Sequence, residues 1–259
     1  MNRTGRMVFF LISVAGFFAI YLWALRGLSP FGHYPGPYGD VLNKVAVYER
    51  HATDVVTAVN FDYRGFDTLG EEFILFISVI GATLLLRRQK SETEDGDQED
   101  ESPNRTAPAP SDATRALTLA LIGPMVLFGL YIVCHGQLTP GGGFQGGVIL
   151  ATAPLLVYLA GDFESFKKIT SHTLVEAAEA AGAGGYLLIG FIGMILGTFY
   201  LRNVFALGKT GEVNSSGTIA AISIATGLEV AAGFVLLLYG FLEQTLEIRL
   251  GGGKGGGKK

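Results

Sequence analysis

The sequence predicts an all-α, polytopic membrane protein with about six transmembrane helices, and three observations carry that reading. Hydrophobic residues make up 49% of the 259-residue chain against 16% charged ones, a balance that does not suit a water-soluble globule. Six stretches are long and apolar enough, or nearly so, to cross a bilayer, which takes about 20 residues at 1.5 Å rise. Glycine occurs 37 times, about twice its usual share of roughly 7%, as close helix packing in lipid requires. With no water in the hydrocarbon core, backbone amides bond internally, so each span is expected to be a helix.

The first span is Met7 to Leu25, behind Arg3 and Arg6. It is too long for a signal-peptide core and no small-residue cleavage site follows, so it is expected to be retained. The second runs from about Glu72, or Thr68, to Leu86. The third covers Ala116 to Cys134, the fourth Phe144 to Leu159, the fifth Gly185 to Leu201 and the sixth Ile219 to Leu242. If both termini are cytoplasmic, Arg3, Arg6, Arg87, Arg88, Lys90, Lys167, Lys168 and Arg249 fall on one side. Arg26, Lys44, Arg50, Arg64, Arg202 and Lys209 on the other side make this a preference and not a partition.

Composition divides the chain. Residues 87–115 lack apolar periodicity, carry a run of acids from Glu92 to Glu101, and contain Pro103, Pro108 and Pro110. They read as an acidic, solvated linker between a two-span unit, residues 1–86, and a four-span unit, residues 116–245. The remainder, 246–259, is a Gly/Lys tail. Cys134 is the single cysteine, which excludes an internal disulfide framework and a cysteine-based zinc site. His33, His51, His135 and His172 lie far apart without metal-ligand spacing, so neither metal nor cofactor is expected. A net charge of −4 without a basic, aromatic-rich patch argues against nucleic acid.

Intramembrane acids are the main lead, because a carboxylate at bilayer depth costs about 2.5–3.5 kcal/mol on insertion scales. Glu229 has about ten uncharged, mostly apolar residues on each side. Either it exchanges protons or it is paired permanently to a Lys or Arg of a neighbouring helix. Asp67, Glu71 and Glu72 form a second group. Asp67 and Glu71 are i, i+4, and Gly65 and Gly70 suggest an interrupted helix; plain helix-end acids are the alternative.

The string His135 to Ile149, HGQLTPGGGFQGGVI, gathers Pro140, Gly141, Gly142, Gly143, Gly146 and Gly147. It reads as a special-backbone turn between spans three and four, with amides free to face an ion or another subunit. His135 there is either a titrating group at a water interface or, as a lone histidine more often is, a hydrogen-bonded edge residue. Between spans four and five, Phe163, Phe166, Thr170, Thr173, Ala177 and Ala181 have helical spacing and predict an amphipathic interfacial helix. Glu176 and Glu179 are expected where that helix meets the membrane. His172 and Glu176, at i, i+4, are either a proton relay or an ordinary surface pair.

LFGLYIVCHGQLTPGGGFQGGVILA and GTIAAISIATGLEVAAGFVLLLYGFLE resemble the B subunit of Mrp-type sodium/proton antiporters, the MnhB-like family, across Leu117 to Glu243. VVTAVNFDYRGFDTLGEEFILFISVIGATLLL resembles the C-terminal end of the antiporter A subunit, and equally the small membrane subunit of membrane-bound hydrogenases. The resemblance implies two normally neighbouring subunits fused through the acidic linker. It also implies a non-enzymatic accessory subunit, multi-pass in the inner (plasma) membrane. Its partners would be lipid, sodium ions and protons, the large antiporter-like subunits and the small subunits of the complex. The glutamate implicated in ion transfer in the LGE string maps onto Glu71, and Glu72 departs from the pattern, where an apolar residue is common. A membrane-arm subunit of a ferredoxin-linked oxidoreductase is the competing reading. A stand-alone transporter is disfavoured because no internal repeat is evident.

Overall fold

The computed structural model describes residues 3–28, 32, 36–86 and 110–251. Most of the acidic linker, residues 87–109, the last eight residues of the Gly/Lys tail, and His33 lie outside the described residues. No strand occurs among the described residues, and six helices there are long and apolar enough to cross a membrane. The all-α, six-span expectation holds.

The chain forms two compact units, residues 1–41 and 42–259. In the first, α1 (Arg3–Leu25) carries the first span, Met7–Leu25, at the predicted bounds. Helix α2 (Pro37–Arg50) begins in this unit and ends in the second.

The second unit continues with α3 (Val55–Ala58), a π-helical turn (Val59–Tyr63) and α4 (Gly65–Leu86), and then with α5 (Asp112–Cys134), α6 (Gly143–Ala160), α7 (Phe163–Ile169), α8 (His172–Ile195) and α9 (Thr218–Gly251). Helix α9 is the organising element and the most buried of the spans. It packs against α4, α5, α6 and α8, while α5 lies along α6. Small residues make these approaches possible. A methyl group on Gly143 would sit 2.4 Å from the Ser223 carbonyl oxygen, and one on Gly147 would sit 2.8 Å from Val230 Cβ, so α6 touches α9 backbone to backbone. Gly146 presses on α5 instead, where a methyl would meet Val133 Cγ2 at 2.5 Å.

Three connections meet at one end of this unit. Asp54 N donates to the Gln137 carbonyl at 3.1 Å and Thr53 Oγ1 to that of Leu138 at 2.6 Å. The fully buried Gln137 donates through Nε2 to the Val213 carbonyl at 2.6 Å. Asp62 accepts from Arg50 Nε at 2.7 Å and from Asn203 Nδ2 at 2.9 Å, and Asn203 Oδ1 receives the Thr218 amide at 2.9 Å. Thus the segment before α4, the turn between α5 and α6, and the segment between α8 and α9 share one membrane face, as alternating spans require. Burial of the Tyr63 hydroxyl, with its hydrogen bond to Glu49, pushes that phenol above its ordinary range.

Two expectations are corrected. The chain between spans four and five is not one amphipathic helix: it breaks at Thr170–Ser171. Phe163, Phe166 and Thr170 are buried, the two rings against Ala151, Val235 and Tyr239, whereas Thr173, Ala177 and Ala181 are exposed. Span five is also shifted toward the N-terminus, to His172–Ile195 in place of Gly185–Leu201. The helix stops at Leu196 and Gly197, where φ of +78° favours glycine. At its start it extends through Glu176 and Glu179, because Glu179 is taken up in the contact with α9 instead of remaining at the membrane surface.

Candidate functional site: a row of buried carboxyls

Three glutamates lie inside the helix bundle. Glu72 on α4 is 1% exposed, Glu229 on α9 is 0% exposed and Glu179 on α8 is 4% exposed. Glu229 faces Glu72 across the α4–α9 junction, with the Thr226 hydroxyl, one turn earlier on α9, beside Glu72. Glu179 is the second carboxyl neighbour of Glu229. Both oxygens of Glu72 and Glu229, Oε1 of Glu179 and Oγ1 of Thr226 make no hydrogen bond of ordinary geometry within the chain. Among the described residues, none of the three acids forms an ion pair with Lys, Arg or His, so a fixed cationic partner for Glu229 is not found there.

Glycines bring these acids together. A methyl on Gly182 would lie 2.5 Å from Glu229 N and 2.7 Å from Glu229 Cβ, so α8 meets α9 just where the acid projects. Gly233, one turn beyond Glu229, leaves room for Glu179, whose Oε1 lies 3.3 Å from the position a Cβ would take. Helix rise staggers the carboxyl-bearing residues in depth. Glu72 lies about 10 Å along α4 from Gly65, and Glu229 about 17 Å along α9 from Thr218, both counted from the same face. Glu179 lies about 10 Å along α8 from His172, counted from the opposite face.

Like charges at this depth repel strongly. The row can therefore either hold protons, which keep its members neutral, or hold a small cation when more than one of them is ionised. Among the described residues no three His, Cys, Asp or Glu converge in a way that could hold a metal ion, so the acids form a string and not a cage.

The other residues singled out from the sequence lie elsewhere. Asp67 is exposed in the first turn of α4 and ion-pairs with Arg64. Glu71 is exposed on the same helix, adjacent in sequence to the buried Glu72. Because α4 begins at Gly65, both glutamates stand in its second turn and do not cap it; the interruption falls at Arg64, and Gly70 is continuous helix. His135 is half-buried at the end of α5, its ring stacked on Tyr131 at 4.1 Å and Nδ1 3.0 Å from the Tyr131 carbonyl oxygen. Glu176 is exposed and pairs with His172 at 3.3 Å. Pro140 is exposed, and Gly141 and Gly142 adopt φ of +151° and +124°. Sequence reasoning placed Glu179 at the membrane edge and did not single out Thr226. The signal for Glu179 was its place in the series 172, 176, 179, 183, 186, a single helical stripe that includes the buried Ala183 and Tyr186.

A family model described as a domain related to the MnhB subunit of Na+/H+ antiporters matches residues 113–236. The B subunit of the Na(+)/H(+) antiporter of Alkalihalophilus pseudofirmus is 30% identical over 127 residues, covering 49% of this chain and 81% of that protein. The chain belongs to the MnhB family. An uncharacterised protein of Methanocaldococcus jannaschii is 32% identical to this MnhB-family chain over 208 residues, covering 74% of it and 78% of the relative. Among solved structures, an archaeal respiratory complex, the membrane-bound sulfane sulfur reductase, contains a chain with a TM-score of 0.68 and 30% identity. That match covers 91% of this chain and 98% of the other. The Mrp complex of Dietzia sp. DQ12-45-1b matches with a TM-score of 0.67 at 20% identity, over 93% of this chain and 26% of that one, a likeness of fold.

Proposed function

We propose that this MnhB-family chain is an integral-membrane accessory subunit of a multisubunit cation/proton antiporter complex, and that its buried glutamates form part of the ion-transfer pathway. The observation that carries the reading is the Glu72–Glu229 pair, two fully buried carboxyls facing each other without a cationic partner among the described residues. Buried ionisable groups inside a helix bundle mark ion and proton pathways more often than they stabilise folds. Sodium and protons are the ions in question. The subunit is non-enzymatic, lies in the inner membrane and places both termini in the cytoplasm, the orientation favoured by its Lys and Arg positions. The two-span and four-span segments on either side of the acidic linker correspond to two subunits joined in one chain, and Pro140 to Gly142 form its structural turn, whereas Gly143, Gly146 and Gly147, expected in the same loop, belong to α6.

A second reading has specific support. The 30% identical match spans 98% of a chain in a membrane-bound reductase, which favours a place in the membrane arm of a redox complex that carries the same module.

Purification of the native complex with identification of its subunits by mass spectrometry separates the two, since redox subunits would decide for the second. In everted vesicles at pH 7 to 9.5, an assembled Glu229→Gln variant should lower antiport about 10²-fold or shift its pH optimum, a typical consequence of losing a proton-transfer group. Wild-type antiport across that range would assign Glu229 to structure alone.

A further inference from the structure

We propose that His172, Glu176 and Glu179 form a proton-collecting arm on α8 that loads the Glu229–Glu72 pair from the membrane face where α7 lies. The proposal rests on the ion-transfer reading above and adds the route by which protons reach the pair.

Residues 172, 176 and 179 follow at i, i+4 and i+7, so they share one stripe of α8. That stripe faces α9, because the His172 ring sits edge-on to Tyr239 at 5.2 Å and Glu179 Oε1 lies against Gly233. The outer members are wet: the His172 and Glu176 side chains are 47% and 55% exposed and lie 3.3 Å apart. The inner member is dry: Glu179 is 4% exposed, with Oε1 unpartnered. Between it and Glu72 stand Glu229 and the fully buried Thr226 hydroxyl beside Glu72, so buried polar side chains continue through the bundle. The string of acids does not converge as a metal site would.

Each step balances as a proton transfer. The His172 imidazolium gives its N–H proton to the Glu176 carboxylate and becomes neutral. The Glu176 acid then passes a proton to the Glu179 carboxylate, and Glu179 to Glu229, with one O–H bond broken and one formed each time. Glu229 finally protonates Glu72. Small movements of the carboxyls or intervening water close the gaps, and no electron is transferred. The charged groups facing the arm are Glu176 on its own helix and Glu229 on α9; Glu229 in turn faces Glu72 on α4. Histidine suits the mouth of such a path because its imidazole ring can both accept and donate a proton.

The test uses the native complex in inside-out vesicles, with assembly checked on native gels. Glu179→Gln should assemble and lower antiport about tenfold or more, and the pH-dependent infrared band of its carboxylic C=O should vanish. His172→Ala and Glu176→Gln alter exposed side chains, so both should assemble. His172→Ala should slow antiport about tenfold and recover when imidazole is added, a response that a packing role would not produce. Wild-type rates in Glu179→Gln and His172→Ala, beside an inactive Glu229→Gln, would overturn the arm while leaving the ion-transfer reading in place. Failure of imidazole to restore a slowed His172→Ala would also overturn it. Wild-type rates in Glu229→Gln and Glu72→Gln as well would remove the reading on which the arm depends.

Discussion

Glu71 and Glu72 are neighbours in sequence and opposites in environment. One helical step is about 100°, so α4 turns Glu72 into the bundle against α9 and leaves Glu71 on its outer surface. The family pattern points to the first of these acids, whereas the geometry places the second against Glu229. Glu72→Gln is therefore expected to reduce antiport as severely as Glu229→Gln. The double variant should lose little more than either single one, because groups that act as a unit are not additive. Glu71→Gln measured in the same vesicles should be milder by about tenfold, the scale of a group outside the transfer step. The opposite order would return the role to Glu71 and to the surface where a partner would meet it.

At the scale of elements, spacing between helices decides function, and glycine decides spacing. Gly143 and Gly147 let α6 lie on the α9 backbone at Ser223 and Val230, and Gly182 lets α8 reach Glu229. Gly143→Ala forces α6 from α9 and should destabilise the assembled protein by about 1–3 kcal/mol, as overpacking does. A methyl on Gly81 of α4 or Gly184 of α8 meets nothing within 4 Å. Alanine there should be neutral or slightly stabilising through helix propensity, and thermal unfolding of the complex in detergent compares the three.

Helix α7 owes its start to Asp162, whose Oδ1 accepts the Ser165 amide at 2.8 Å. That backbone hydrogen bond, with a further one from the Ser165 side chain, holds the exposed Asp162 carboxyl below its ordinary range. With the folded value depressed, the stabilisation is present above the unfolded value of about 3.9 and is lost as pH falls through the folded value. Hydrogen exchange over Phe163–Ile169 should accelerate in Asp162→Ala at neutral pH and approach the wild-type rate in strong acid. Equal protection in both proteins at neutral pH would deny the cap a role.

At the scale of the whole molecule, the second unit has a small-residue interior and an apolar exterior, with Leu85 87% and Ile195 80% exposed. Lipid suits such a surface. The exposed Glu71 in the second turn of a spanning helix suits a protein neighbour better, because a lone carboxylate facing lipid is costly. Expressed without companion subunits, the chain should aggregate or be degraded. A monodisperse, transport-active single chain in detergent would contradict the accessory-subunit reading.

The sequence by itself determined the number of spans and the alternation that puts three connections on one face, and it marked Glu229 as an acid set deep within an apolar span. All of these follow from apolar length and from the cost of charge in hydrocarbon, which are local properties. It also held the family resemblance, in the strings around Gly141 to Gly147 and Glu229. Tertiary structure decided which acids meet. Hydropathy excluded Glu179 from span five because an acid counts against a membrane window, yet Gly182 against Glu229 and Gly233 beside Glu179, where α8 meets α9, make a buried place for it. Asp67, Glu71 and Glu72 are equivalent in composition, and only the packing of α4 on α9 separates the ion-paired, the exposed and the buried acid. Asp62 and Asn203 stand 141 residues apart, and their hydrogen bond exists because three connections converge. Charge and apolar length are carried by each residue alone, whereas proximity depends on residues far away in the chain, so the carboxyl row becomes visible only once the helices are packed.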